Sequence, residues 1–199
     1  MRARSTAVRT LCALACLAVA SGASAAEPPE RSGFWIGLGA GPGWADATCD
    51  FCEGGSREIG FAGSVRLGGT VNDRLLFGAD MNGWSKEEND ITLNLYSATA
   101  SLTFYPQASS GFFLKGGVGI AFLDTQFREG STNVTIDLGT GLGLLAGAGY
   151  DLRVGRKVSI TPAVSFWYGW AGDIAFSGET LFTNWKHNVI DVTVGVTFH

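Results

Sequence analysis

From residue 33 onward the chain alternates. One set of alternate positions carries bulky apolar side chains, and the other carries glycine, small polar residues and scattered charges. The run from Val134 to Leu152 shows the pattern best. Ile136, Leu138, Leu142, Leu144, Ala146, Ala148 and Tyr150 share one parity, and Asp137, Gly139, Gly141, Gly143, Gly147 and Asp151 share the other. Successive strand residues point to opposite faces of a sheet, so this segment reads as a strand with one apolar face and one lean face. Equivalent strands are predicted over about 33–45, 57–71, 74–84, 91–105, 112–122 and 158–170, with an eighth through Ile190 to Phe198. Pro162 falls inside one of them; proline has no N–H to give a ladder, so a bulge is predicted there.

The connections alternate as well. Asn72-Asp73, Pro106 to Ser110 and Arg153 to Lys157 read as tight turns, whereas Asp46–Ser56, Lys86–Asp90, Arg128–Asn133 and Gly172–Asn184 read as longer, polar loops. Short turns at one end and longer loops at the other, with both termini on the turn side, are the pattern of an outer-membrane barrel. Each strand meets the ~9–11 residues needed to cross a bilayer at a tilt. Aromatic residues mark both predicted interfaces: Phe34, Phe104, Phe112, Tyr150 and Phe198 toward the turn end, Trp44, Tyr96, Phe122 and Trp170 toward the loop end.

Alternation alone does not say which face meets water. A soluble eight-stranded barrel of the lipocalin kind would hide the bulky set, leaving a coat of Gly, Ala, Ser and Thr that is poor in charge. A lipid-facing barrel hides the lean set instead, where small residues fit a narrow, tightly curved lumen. Arg66, Arg74, Asp80, Lys115, Asp137, Asp151 and Asp191 all fall on the lean set, where they are expected to form a compensated lumen network. The fold class is therefore all-β: an eight-stranded antiparallel up-and-down transmembrane β-barrel.

Two segments carry a family likeness: Gly33-Phe34-Trp35-Ile36-Gly37-Leu38-Gly39-Ala40-Gly41 at the first strand and Val192-Thr193-Val194-Gly195-Val196-Thr197-Phe198 at the last. Over about residues 33–199 the chain resembles the small outer-membrane β-barrels of the OmpA- and OmpX-like eight-stranded type. The resemblance implies residence in the outer membrane among its lipids and lipopolysaccharide. It also implies that Phe198, here followed by His199, is the terminal aromatic read by the barrel-assembly machinery. No linker or peptidoglycan-binding domain follows the barrel, so an anchoring role like that of two-domain relatives is not expected.

The first residues read as a secretory signal: Arg2, Arg4 and Arg9, an apolar run from Leu11 to Ala20, and Ala23-Ser24-Ala25 as the small-residue cleavage pattern. That run is about ten residues against the ~20 of a spanning helix. Residues 1–25 are thus expected to be removed, leaving a barrel domain over 26–199. Three of the 14 basic residues and none of the 18 acidic ones leave with the signal, so the remainder carries a formal charge near −7. An acidic exported chain without a basic cluster is no nucleic-acid binder.

Little chemistry is written into the chain. Cys49-Asp50-Phe51-Cys52 holds the two cysteines outside the signal, and an oxidising compartment favours a disulfide between Cys49 and Cys52 in the first external loop. His187 shares the lumen parity but reads as a solvated histidine at a loop edge. Acyl chemistry would need a nucleophile within reach of it, and Ser165, Ser177 and Asp173 form no motif with it. The glycine runs at Gly37 and Gly139 alternate within strands, unlike a phosphate loop followed by a helix. Glu87-Glu88-Asn89-Asp90 reads as a solvated loop tip. No catalytic residue, metal or cofactor is expected. The expectation is a non-enzymatic envelope-structural or surface-interaction module whose ligand the residues do not identify, with a narrow solute channel as the alternative and a lipid A-modifying enzyme behind both.

Overall fold

The computed structural model describes residues 31–50, 56–89, 91–129, 132–176 and 179–199, with the side chains of 127–138 and 173–182 outside that description. Among the described residues the strand segments are β1 (Phe34–Thr48), β2 (Glu58–Asn72), β3 (Leu75–Glu88), β4 (Ile91–Phe104), β5 (Phe112–Glu129), β6 (Thr132–Tyr150), β7 (Leu152–Arg153), β8 (Val158–Phe176) and β9 (Glu179–Phe198). Each long strand pairs antiparallel with its neighbours in sequence. β1 also pairs with β9 and β6 with β8, so the sheet closes on itself as an eight-stranded barrel. β7 is the two-residue resumption of β6 against β8.

The interruption between β6 and β7 lies opposite Pro162, but no bulge forms there. Gly149 pairs with Ala163 and Leu152 pairs with Ile160, which is one uninterrupted register with two rungs missing. On its other side Pro162 stays in the ladder with Val194. The missing N–H breaks rungs without inserting a residue. Bulges occur elsewhere, at Thr70/Asn72, at Leu123/Asp124 and along β8 from Trp170 to Ala175. The last irregularity brings together Gly172 (φ 73°) and Asn184 (φ 56°), residue types that tolerate the left-handed region.

Three of the segments expected as external loops are mostly strand. β5 runs to Glu129 and β6 starts at Thr132; β8 runs to Phe176 and β9 starts at Glu179; β3 runs to Glu88 and β4 starts at Ile91. Their polar composition reflects water on both sides beyond the membrane, and paired strands satisfy their backbone groups there without needing an apolar face. The connection after β1 is the long one among the four.

The bulky parity is on the outside. Phe34, Val65, Phe77, Leu102, Val118, Leu144, Val164 and Val194 are all exposed on the barrel wall. An apolar belt that runs round a closed sheet has hydrocarbon as its natural solvent. The aromatic positions predicted for the two interfaces ring this belt. Phe34, Phe104, Phe112, Tyr150 and Phe198 are exposed at the turn end, Trp170 is exposed at the loop end, and Tyr96 stacks on Phe122 at 5.2 Å between ring centroids.

Candidate functional site

The lumen is the first place to look for chemistry, and it is built in three layers. At the turn end Trp35, Leu76, Tyr105 and Phe113 form an apolar cluster with Ala163 against it. In the loop-end half Ala45, Ala62, Trp84, Leu95, Leu123, Leu145, Trp167 and Val189 form a second one. Polar side chains occupy the space between. These apolar fillers are what the parity rule understated. Their signal is in the doublets Leu75-Leu76, Phe112-Phe113 and Leu144-Leu145, where alternation fails because both faces carry an apolar residue.

Asp80 sits at the centre of the polar layer with no solvent exposure. Lys115 Nζ donates to its Oδ1 at 3.0 Å and Ser101 Oγ donates to its Oδ2 at 2.5 Å. Arg66 lies opposite Asp80 in the β2–β3 register, yet its Nη2 donates to Thr197 Oγ1 at 2.9 Å. Its guanidinium rests 5.4 Å from the Phe113 ring centroid and 5.9 Å from that of Trp35. Asp191 accepts from Trp167 Nε1 at 3.0 Å. Asp151 accepts from Thr161 Oγ1 at 2.7 Å and from the Tyr105 hydroxyl at 2.6 Å, and His199 Nε2 stands 3.9 Å away. Thr161 and Thr197 share a hydrogen bond of 2.8 Å, so Arg66, Thr197, Thr161, Asp151 and Tyr105 form one continuous chain.

Five of the seven predicted lumen charges therefore lie inside: Arg66, Asp80, Lys115, Asp151 and Asp191. Arg74 does not. It precedes β3 in the β2–β3 turn and is exposed, its backbone N–H donating to Asn72 Oδ1 at 3.0 Å. Parity places a side chain only within a strand, and the strand begins at Leu75. Asp137 has its side chain outside the described residues. A charge the parity argument missed is Arg31, just before β1. It is buried against Tyr105, 3.5 Å from the ring centroid, and donates to the carbonyls of Ala108 at 2.8 Å and Ser110 at 2.6 Å. It closes the turn end of the lumen like a stopper.

His187 is not solvated. It is 1% exposed, and neither ring nitrogen has a hydrogen-bond partner. It sits edge-on to Trp167, with ring centroids 6.0 Å apart, and fills the space left by Gly169. A Cβ at Gly169 would collide with the imidazole and lie 2.7 Å from Ala121 Cβ. The side chain that Gly169 lacks on β8 makes room for the ring on β9. Among the described residues no hydroxyl or carboxylate is bonded to it, Ser165 included, and the side chains of Asp173 and Ser177 lie outside the described residues. Among the described residues no group of three His, Cys, Asp or Glu side chains is placed to hold a metal ion.

At the loop end, Cys49 is disulfide-bonded, and Cys52 lies outside the described residues. Next to it the Asp50 N–H donates to the Thr183 carbonyl at 3.2 Å, and Asn184 Nδ2 donates to Asp50 Oδ1 at 3.1 Å. Lys86 Nζ bonds both Glu58 and Glu88 at 2.7 Å above the apolar belt, Glu88 belonging to the expected acidic loop tip. These hydrogen bonds hold the Glu58 carboxyl below its ordinary range and the Lys86 ammonium above its own. Phe198 is exposed on the wall and pairs with Ile36 and Val158, at the seam between the first and last strands.

A family model described as outer membrane protein beta-barrel domain matches residues 11–198. Comparison with curated proteins gives no match. Among solved structures, Neisserial surface protein A aligns with a TM-score of 0.57 at 20% identity, covering 84% of this chain and 97% of its own. Ail, the attachment invasion locus protein of Yersinia pestis, aligns with a TM-score of 0.53 at 16% identity, covering 84% and 99%. At these identities the likeness is one of fold.

Proposed function

The chain belongs to the outer membrane protein β-barrel domain family and resides in the outer membrane, and from that premise we propose that it is a non-conducting, non-enzymatic barrel that serves the envelope structurally and presents its loop end as a surface-interaction module. The filled lumen carries this reading. Two apolar clusters cap a layer whose charges are hydrogen-bonded within the lumen, Lys115 to Asp80 and the others to neutral side chains, and the cavity left beside Arg66 and Lys115 is about 10 Å³, at the lower bound of what one water needs. A solute path would have to break both caps and the Lys115–Asp80 pair. The strands supply the surface for interaction. β8 continues from the interfacial Trp170 to Phe176, about 20 Å of further strand, which lifts its hairpin with β9 clear of the lipid. The fold is shared with an attachment invasion locus protein, a likeness that supports the surface-interaction reading. In this reading the exposed Phe198 of the closing strand is the aromatic that the assembly machinery reads.

Single-channel recording of the refolded full-length protein in planar bilayers tests the reading. The expected trace is flat at physiological salt. Steady conductance steps overturn it in favour of a narrow channel. For the enzymatic alternative, lipid A from cells with and without the protein is expected to be identical, and a mass change abolished by His187→Ala would make it an enzyme.

A further inference from the structure

The loop-end cap holds an ionisable side chain that, among the described residues, bonds to nothing. His187 enters from β9, and the register sets it beside Ala47 of β1 and Gly169 of β8. A Cβ built on Gly169 would meet both the imidazole and Ala121 Cβ of β5. The ring therefore fills a slot bounded by Gly169, Ala121 and the edge-on Trp167. Trp167 and Val189, both fully buried, belong to the same apolar cluster. An unbonded imidazole is tolerable among such neighbours only while neutral, because an uncompensated ion out of water is far costlier than a neutral ring.

Among the described residues no carboxylate is bonded to the ring, and those around the cap are engaged elsewhere. On β9 itself Asp191 shares the lumen parity of His187 and accepts from Trp167 Nε1 at 3.0 Å. Asp124 of β5 is held by Asn94 Nδ2 at 2.8 Å. Glu58 of β2 and Glu88 of β3 share Lys86, each at 2.7 Å. Asp46 of β1 has the outward parity of Trp44, and β4 carries no carboxylate. The side chains of Asp137 on β6 and Asp173 on β8 lie outside the described residues. The nearby cations face outward, Lys186 over the Trp170 ring at 5.9 Å and Arg57 to Asn188 Oδ1 at 2.7 Å.

We infer that His187 is an acid-sensitive latch: neutral, it completes the loop-end cap, and on taking up a proton it leaves its slot beside Gly169 and the cap loosens. The His187–Gly169 rung is next to the Lys186–Trp170 rung, so the latch stands at the level of the loop-end aromatic ring. Acid arriving from outside the cell meets it before the polar layer below. Each opening takes up one proton, so below a free histidine's value of about 6.5 the opening constant climbs about tenfold per pH unit. The inference uses the loop-end cluster alone and is independent of whether the lumen conducts at neutral pH.

The test is acrylamide quenching of tryptophan emission from the full-length protein in phosphatidylcholine vesicles, because Trp84 and Trp167 are shielded while the cap is closed. The wild type is expected to become more quenchable as the pH falls from about 7 to about 4, with the slope of one proton, and to recover on neutralisation. His187→Leu fills the slot without a proton site and is expected to stay flat over that range. Gly169→Ala drives the ring out with its Cβ and is expected to show at neutral pH the quenching that the wild type shows only in acid. Adding His187→Ala to Gly169→Ala gives that Cβ room and is expected to restore the shielded, pH-insensitive state. Heat-modifiable migration at each pH confirms that the barrel itself stays folded. An acid response in His187→Leu equal to that of the wild type would assign the change to carboxylates and overturn the inference. A flat wild-type profile, or a Gly169→Ala variant as shielded at neutral pH as the wild type, overturns it too. Should His187→Leu fail to fold, the two Gly169→Ala variants decide alone.

Discussion

The two faces of one strand, β5, differ in what they ask of the sequence. Val118 looks outward at 54% exposure, and Lys115 looks inward at 6%, three residues away on the same ladder. Outside, the requirement is apolar character and little more, because lipid conforms to any shape. Inside, Lys115 has one carboxylate to meet, Asp80, whose other oxygen is taken by Ser101. The wall is specified by class of residue, whereas the lumen is specified residue by residue. Specificity in this fold thus lies on the face where solvent is absent.

The comparison breaks most sharply at the buried pair. Lys115→Met leaves Asp80 uncompensated and is expected to cost about 3–5 kcal/mol in equilibrium unfolding from lipid vesicles. Asp80→Asn combined with Lys115→Met is expected to recover most of that loss, since the penalty belongs to the orphaned charge. Val118→Lys puts the same ammonium on the wall near the middle of the belt, and about 2–4 kcal/mol is expected in the same assay. A milder loss than that would mean the belt is displaced from the hydrocarbon centre. Arg31→Ala removes the stopper at the turn end, with charge-assisted bonds of about 1.5–3 kcal/mol; faster hydrogen exchange at Ala108 to Gly111 is the accompanying readout.

Smaller effects sharpen the other side. Val118→Leu is expected to stay within about 0.5 kcal/mol. The Lys86–Glu58 pair is open to solvent on the Glu58 side and half-buried at Lys86, and Lys86→Met is expected to change the unfolding free energy at neutral pH by only a small fraction of what orphaning Asp80 costs. Because the fold lowers the Glu58 pKa, whatever the pair contributes is present above the ordinary carboxylate range and lost as pH falls through the lowered value. A difference between variant and wild type confined to acid would show up there.

How far the sequence reaches follows the same division. The wall, the strand count, the closure and both aromatic rings are legible in alternation, because lipid imposes one rule on every outward position. Five lumen charges are legible by parity alone. Arg74 escapes because a turn ends the parity, and Arg31 because it lies before the first strand, where no pattern points at a partner 77 residues away. His187 looks solvated in a polar stretch, and its burial depends on a glycine on the adjacent strand that only the register brings opposite. The extended hairpins escape for a different reason: beyond the membrane a paired strand needs no apolar face, so nothing in its composition sets it apart from a loop.

The clasp between Asp50 and the β9 backbone ties together positions 134 residues apart. Asp50 leaves the first strand, and its partners Thr183 and Asn184 arrive with the last. The first exterior segment to be synthesised therefore takes its final form after everything else is in place. An antibody raised against that folded corner would report completed seam closure, and a chain stalled one strand short would be invisible to it.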